Sequence, residues 1–365
     1  MITTIPVAQP ALLGNEARYV NECVQTGMLS GGRFVAEFER AFAGRMRTKH
    51  ALTAMNGTAA LHLAMLALGV TEGDEVLVPA LTYVATANAV AYCGGTPVLC
   101  DVDEQTWCMD PHEAERKITS RTVGMVPVHL YGQPCDMEAL VSIAHRHKLW
   151  IVEDAAEAHG ATYHGVPVGG IGDIGVFSFY GNKVITCGEG GMLTTNSAVL
   201  AERIALFRGQ GVDPHRRYFH TVRGYNYRMT NLQAALGLAQ LEGLSEQLRS
   251  RRETAASYAQ QFARAECDLV LQAGYEDATS AHWMVVGLVD KNRDQVMQQL
   301  QATELVETRP TFVPLNQLPM YQSVLNFPVS DDIGERGICF PTYYGLMPDD
   351  IMRISCATAG IIHES

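Results

Sequence analysis

The stretch from residue 152 to residue 191 holds the side chains best suited to chemistry. Glu153 and Asp154 end the apolar run LWIVED. A carboxylate at the carboxyl end of a strand in an open α/β sheet can face a ligand cation. An acid in this position can equally well cap the next helix, and the position alone leaves both roles open.

Lys183 stands in the segment SFYGNK, after an apolar run and before Gly188, Gly190 and Gly191. Glycine and apolar neighbours indicate partial desolvation, which favours the neutral amine that a Schiff-base lysine needs. A lysine on a mobile loop is the alternative interpretation of the same segment.

Other residues suit a phosphorylated, planar ligand. Gly57 and Thr58 follow the run HALTAM and open a helical stretch. A helix N-terminus after a glycine turn favours phosphate, although an ordinary helix cap looks the same. Ser178 can add a hydroxyl to that phosphate, and Tyr83 can either stack on a planar ring or belong to the core. Together the residues offer a phosphate cradle, an aromatic platform, an acid for a ring cation and an amine for an aldehyde. Pyridoxal phosphate has all four matching groups.

The elements that position these residues follow an α/β pattern from about residue 50 to 200. Continuous apolar runs separated by helical stretches indicate a largely parallel sheet. The predicted strands are HALTAM, EVLVPA, PVLCDVD, TVGMVPVHL, LWIVED and DIGVFSFY, and the predicted helices lie near 58–68, 82–93, 111–117 and 136–147.

A long helix is predicted to follow this layer. Thr230 and Gln233 form a T-x-x-Q capping box. Apolar residues then recur at helical spacing, at Leu232, Ala235, Leu236 and Ala239. We expect this helix to continue to about residue 263.

Two domains are expected, a large one over 20–235 and a small C-terminal one over 245–365, which the first residues may join. In the small domain AHWMVVGLV is typical of a strand and RDQVMQQLQA of a helix. Residues 15–46 also favour helix, with a break at SGG, residues 30–32.

Composition excludes several classes of protein. Hydrophobic residues make up 47% of the 365 and charged residues 18%, as in an ordinary globular protein. The net charge of −12 and the absence of basic runs argue against nucleic-acid binding. No apolar stretch is long enough for a membrane span, and the N-terminus does not resemble a signal peptide. The nine scattered cysteines form no C-x-x-C pair, so we expect free thiols in a cytoplasmic protein. The H-x-H at 145–147 has no third ligand at a suitable spacing, so we expect no metal site.

The sequence resembles the DegT/DnrJ/EryC1/StrS family of pyridoxal-phosphate sugar aminotransferases of fold type I. The matching segments are NGTAALHLA (56–64), GDEVLVPALTYVATANAV (73–90), VHLYGQPCDM (128–137), VEDAAEAHG (152–160), GDIGVFSFYGNKVITCGEGGM (172–192) and GYNYRMTNLQAALGLAQLE (224–242). The resemblance covers nearly the whole chain. It implies a large domain with a mostly parallel sheet of seven-stranded type, flanked by helices, and a smaller C-terminal α/β domain.

The resemblance also implies catalytic roles. Lys183 would bond to the cofactor's aldehyde and then shuttle protons. Asp154 would pair with the pyridinium nitrogen, and Glu157 would lie near the O3′ side of the cofactor.

Further implied roles concern the rest of the cofactor. Gly57, Thr58 and Ser178 would hold its phosphate, and Tyr83 would stack on its ring. Asn226 would reach the phosphate from the neighbouring subunit. This implies a homodimer with shared active sites, or a tetramer.

Two segments, 208–220 and 306–321, are most similar to the family members that make GDP-perosamine. They imply transfer of the amino group of L-glutamate to C4 of GDP-4-keto-6-deoxy-D-mannose, with pyridoxamine phosphate as the intermediate cofactor form. Arg309, Arg216 and His220 are expected to contact the substrate, because cationic side chains, and the arginine fork above all, suit a pyrophosphate. Surface ion pairs are the alternative for each of these arginines.

Other readings stay open. The substrate can instead be a dTDP- or UDP-linked 4-keto-6-deoxyhexose. Sugar 3-dehydratases of the same fold carry histidine where Lys183 stands, so lysine argues against a dehydratase. Retention of both Lys183 and Asp154 argues against an inactive binding protein.

Overall fold

The computed structural model describes residues 4–290 and 292–364. Numbered in chain order, the helices are α1 (Glu16–Thr26), α2 (Arg33–Met46), α3 (Gly57–Leu68), α4 (Ala85–Tyr92), α5 (Pro111–Arg116), α6 (Met137–His147), α7 (Ala198–Arg208), α8 (Asn231–Glu242), α9 (Leu244–Arg264), α10 (Arg293–Glu304), α11 (Pro328–Arg336) and α12 (Pro348–Glu364). The strands are β1 (His50–Ala54), β2 (Glu75–Pro79), β3 (Thr96–Cys100), β4 (Thr122–Met125), β5 (Trp150–Asp154), β6 (Thr162–Tyr163), β7 (Val166–Pro167), β8 (Ile174–Ser178), β9 (Gly191–Thr195), β10 (Leu269–Leu271), β11 (Ala278–Thr279), β12 (Val285–Val289), β13 (Arg309–Pro310) and β14 (Gly337–Phe340).

The main sheet has seven strands in the order β1-β9-β8-β5-β4-β2-β3. Neighbours from β8 to β3 pair in parallel, whereas β9 is antiparallel to both β8 and β1. The predicted mostly parallel sheet is therefore confirmed. Strand β9 was not predicted, because GMLTT is short and contains glycine and two threonines rather than a continuous apolar run.

Helices cover both faces of this sheet, which explains its continuous apolar strands. β2 and β8 are buried at every position. On one face, Phe38 and Phe42 of α2 pack against Phe177 and Phe179. On the other face, α3, α4 and α7 bury a second apolar cluster.

The prediction of one long helix from residue 231 to about 263 is wrong in one respect, because the structure has two helices there, α8 and α9. α8 begins at the capping box that Thr230 and Gln233 form, as predicted. Gly243 then takes φ −88° and ψ −2°, and its N–H bonds to the carbonyl of Gln240 three residues back. This tight turn ends α8, and α9 begins at Leu244.

A second sheet, in the order β10-β12-β14-β13, packs with α9, α10 and α12 around a separate apolar cluster. The strand and helix predicted within 281–302 are observed as β12 and α10. Ile5 forms a parallel bridge with Val306, so the first described residues join this part of the chain. The division into domains over 20–235 and 245–365 stays a prediction.

All nine cysteines are free thiols, as predicted. Among the described residues, every helix is too short or too polar to cross a bilayer.

Candidate active site

A cavity of about 380 Å³ opens beside the carboxyl ends of β5 and β8. The predicted cofactor residues that line it are Gly57, Thr58, Tyr83, Asp154, Glu157, Ser178 and Lys183. Segments from across the main sheet thus meet at one edge, where ligands bind in open α/β sheets.

Lys183 reaches into this cavity from the loop after β8. Its Nζ lies 3.3 Å from Oε1 of Glu157 and 3.8 Å from the centre of the Trp283 ring. The indole is itself fixed, because its Nε1–H donates to the carbonyl of Asn182 at 2.7 Å. The amine is therefore held between a carboxylate and an aromatic face, which is not the surrounding of a solvated surface lysine.

Asp154 ends β5 and is buried against the cavity. Its two oxygens accept hydrogen bonds from the hydroxyl of Thr86 at 2.8 Å and from the N–H of Ala156 at 3.1 Å. Burial raises the pKa of Asp154, and these two hydrogen bonds act in the opposite direction. A cation placed beside Asp154 would stabilise its ionised form.

The neighbouring Glu153 faces away from the cavity, because successive side chains of a strand point to opposite faces. It is fully buried and accepts four hydrogen bonds. The donors are the N–H groups of Gly169, Ile171 and Gly172, each at 2.7 Å, and Nε2 of His129 at 3.1 Å. Because Nδ1 of His129 accepts from a backbone N–H, Nε2 carries the proton. Asp154 is thus the carboxylate that lines the cavity, and Glu153 is held away from it by backbone and histidine donors.

Glu157 is held by Tyr131, whose backbone N–H donates to Oε2 at 2.8 Å. Burial raises the pKa of Glu157, and the charge of Lys183 offsets part of this effect. Tyr131 has φ +56°, which is uncommon for a residue other than glycine, and its ring stacks on Trp283 and on Phe312. Its hydroxyl accepts from the N–H of Phe312 at 3.1 Å.

The sequence analysis missed this aromatic wall of Tyr131, Trp283 and Phe312. Tyr131 lies in the segment VHLYGQPCDM and Phe312 in the segment 306–321, but neither was assigned a role there. Trp283 and Phe312 come from distant parts of the chain, and no local pattern placed them beside Lys183.

One end of the cavity is formed by the start of α3. The side chain of Asn56 caps the helix by accepting from the N–H of Ala59 at 2.8 Å, and the N–H groups of Gly57 and Thr58 belong to the unpaired first turn. A Cβ on Gly57 would lie 2.9 Å from Cβ of Ser178, so only glycine brings the helix start this close to the serine.

Tyr83 stands at the mouth of the cavity and is 58% exposed. Its ring centre lies 5.7 Å from that of Phe312. The alternative that Tyr83 is a core residue is therefore wrong.

The remaining predicted residues are not brought into this cavity within one chain. Asn226 forms a bridge with Gly209, and His220 Nδ1 lies 2.8 Å from the carbonyl of Gln210. Arg216 packs over the ring of Phe219, and Arg309 forms an ion pair with Glu307 at 3.3 Å. Their roles toward cofactor and substrate stay predictions.

The sequence is similar to that of a known family of aminotransferases. Residues 11–358 match the DegT/DnrJ/EryC1/StrS aminotransferase family. The chain belongs to this family.

Similar members of the DegT/DnrJ/EryC1/StrS family include the GDP-perosamine synthase of Caulobacter vibrioides, 47% identical over 97% of each chain. The GDP-perosamine synthase of Escherichia coli O157:H7 is 45% identical over 96% of each chain. Among solved structures, the PLP form of Spr1654 from Streptococcus pneumoniae superposes with a TM-score of 0.94 at 27% identity, covering 99% of both chains.

Proposed function

We propose that this chain is a pyridoxal-phosphate aminotransferase that makes GDP-perosamine. It transfers the amino group of L-glutamate to C4 of GDP-4-keto-6-deoxy-D-mannose and releases 2-oxoglutarate. The observation that carries the proposal is that the amine of Lys183 and the carboxylate of Asp154 line the same cavity as the phosphate cradle at Gly57.

Pyridoxal phosphate fits the residues of this cavity. The start of α3 and the hydroxyl of Ser178 suit its phosphate, and the close approach at Gly57 forms the cradle. Tyr83 offers a ring face, and Asp154 offers an acceptor for a protonated ring nitrogen. When bound, the cofactor supplies an electron sink that stabilises negative charge at the carbon that loses a proton.

The chain's own residues provide orientation and proton transfer. Asp154 is buried and oriented by Thr86, so its carboxylate favours a cation at the ring position. Lys183 would hold the cofactor at its aldehyde, and as a free amine it would move a proton to and from the carbon that bears the amino group. Glu157 and the Trp283 ring keep that amine at the cavity and cover it from solvent.

The choice of substrate is supported by the two GDP-perosamine synthases that match almost the full chain at 45–47% identity. Arg216, His220 and Arg309 carry cationic or hydrogen-bonding groups on segments outside the cavity of one chain. We assign them to the pyrophosphate and sugar of the substrate. A dTDP- or UDP-linked keto sugar is the second candidate.

A homodimer in the cytoplasm completes the proposal. Asn226 belongs to the segment that lies beside the start of α3, because the carbonyl of Tyr227 accepts from the N–H of Met55 at 2.8 Å. Met55 and Tyr92 leave apolar surface exposed near this segment. A second copy seated here would bring its own Asn226 toward the phosphate cradle.

A substrate panel tests the function. Purified protein with pyridoxal phosphate and L-glutamate is assayed with GDP-, dTDP- and UDP-linked 4-keto-6-deoxy sugars, and 2-oxoglutarate is measured. We expect the highest kcat/KM with GDP-4-keto-6-deoxy-D-mannose. A higher value with another nucleotide would contradict the substrate assignment, and no 2-oxoglutarate with any sugar would contradict the aminotransferase itself.

A further inference from the structure

A second cavity of about 430 Å³ lies where the end of α2, the β6–β7 hairpin and the first turns of α9 meet. It shares no lining residue with the active-site cavity. Three arginines line it, Arg45, Arg47 and Arg252, together with the hydroxyl residues Thr162 and Ser245. None of its lining residues is acidic. We call it the arginine groove.

Among the described residues, the three guanidinium groups have no charged partners. Arg45 donates to the hydroxyl of Ser245 at 3.0 Å, and Arg47 donates to the carbonyl of Gly165 at 3.3 Å. Within residues 4–290 and 292–364, no carboxylate lies within 4.0 Å of any of the three. Arg252 has neither a hydrogen bond nor an ion pair in that part of the chain.

The groups are also close enough to repel one another. The pKa of Arg252 is lowered by partial burial and by the charge of Arg45. Like charges held together without a counter-ion destabilise the folded state, and an anion placed between them would relieve this repulsion.

The pattern contrasts with that of several other surface arginines. The chain carries 39 acidic residues against 27 basic ones, so carboxylates are abundant. Arg33, Arg249 and Arg336 each form ion pairs with two carboxylates. The lack of acidic residues in the arginine groove therefore cannot be explained by a shortage of acidic residues in the chain.

We propose that the arginine groove binds a phosphoryl oxyanion, such as inorganic pyrophosphate or the diphosphate group of a small organic ester. Guanidinium forks match the oxygens of a phosphoryl group in pairs, and the two hydroxyls add uncharged donors. Three positive charges match a multiply charged phosphoryl group better than a single carboxylate.

Calorimetric titration of pyrophosphate into the pyridoxal-phosphate-loaded enzyme tests this proposal. The variants are the double substitution Arg45→Ala/Arg252→Ala and the control Arg264→Ala. Arg264 is an exposed arginine on the same helix α9, without an ion pair among the described residues. We expect the double variant to lose a binding event, with affinity falling about tenfold or more for each guanidinium removed, while turnover stays at the wild-type level.

The outcomes separate the groove from the active site. A binding event that the double variant keeps is assigned to the active site, which is also expected to bind phosphoryl groups. Such an event is not evidence for binding in the arginine groove. An unchanged titration in the double variant overturns the proposal, as does an equal loss in Arg264→Ala, which would indicate net charge alone. Acetate and phosphate are also compared as competitors of pyrophosphate at the same ionic strength. If acetate competes as effectively as phosphate, the phosphoryl assignment is overturned.

Discussion

Lys183 and Glu157 face each other across 3.3 Å, and the second oxygen of Glu157 is tied to the backbone N–H of Tyr131 at 2.8 Å. The reactive amine is therefore positioned by a carboxylate that cannot turn away without losing a buried hydrogen bond. This relationship places the amine of Lys183 at the cavity.

We expect Lys183→Ala to abolish transamination and to leave the fold intact, because the variant lacks both the cofactor's attachment point and the proton carrier. The wild-type protein with cofactor should show a visible absorbance band that sodium borohydride removes, and the variant should not. Circular dichroism and thermal unfolding provide the control for folding. Retention of more than a few per cent of wild-type turnover, with contamination excluded, would contradict the assignment.

We expect Asp154→Asn to lower turnover by orders of magnitude without preventing assembly. A charge-assisted hydrogen bond to the ring nitrogen stabilises binding by roughly 1.5–3 kcal/mol. The kinetic loss should exceed this, because negative charge on the ring develops only in the transition state. Steady-state kinetics and cofactor affinity are measured side by side, and near-normal turnover would rule out the role.

We expect Glu153→Gln to destabilise the protein by about 1–3 kcal/mol, because every neighbour of this carboxylate is a donor. Wherever the new amide nitrogen is placed, it meets a backbone N–H or the Nε2–H of His129. Urea unfolding measures the change, and Glu202→Gln, at an exposed position of α7, is the matched control. Equal stability of the two variants would show that the acceptor-only environment does not matter.

We expect His159 to make the protein less stable in mild acid. Burial lowers its pKa from the ordinary 6.5 to about 3. Above pH 6.5 the ring is neutral in both states. Between pH 6.5 and 3 the unfolded chain binds a proton that the folded chain does not, so stability falls by up to about 1.4 kcal/mol per pH unit.

The variant His159→Phe, which keeps a ring near Phe177 and Phe179, should remove this component. Free energies of unfolding at pH 7 and pH 5 measure it, with His145→Gln on the exposed surface of α6 as control. An unchanged difference between the two pH values in His159→Phe would count against the prediction.

We expect two inactive variants, Lys183→Ala and Asn226→Ala, to recover activity when they are mixed and allowed to exchange subunits. A heterodimer would combine an intact Lys183 from one chain with an intact Asn226 from the other in one of its two sites. Activity of the mixture is compared with that of each variant alone. A fully active monomer in sedimentation experiments would contradict shared sites.

The sequence by itself determined the mostly parallel α/β layer and a group of residues, Gly57, Asp154 and Lys183 among them, that could serve one phosphorylated ligand. These follow from local patterns: apolar runs mark buried strands, and the carboxyl ends of parallel strands meet at one edge. Family resemblance added the role of each residue. The strand β9 was missed because GMLTT lacks a continuous apolar run, and the break at Gly243 was missed although a glycine inside a helical pattern is itself a local sign of a helix end.

Only the tertiary structure decided which of Glu153 and Asp154 faces the cavity, because strand position alone allows either. It also brought Trp283 and Phe312 beside Lys183 and Tyr83, and Arg252 beside Arg45. These pairs are separated by a hundred or more residues. Their contacts arise from the way the second sheet and α9 pack onto the main sheet, which no local pattern records.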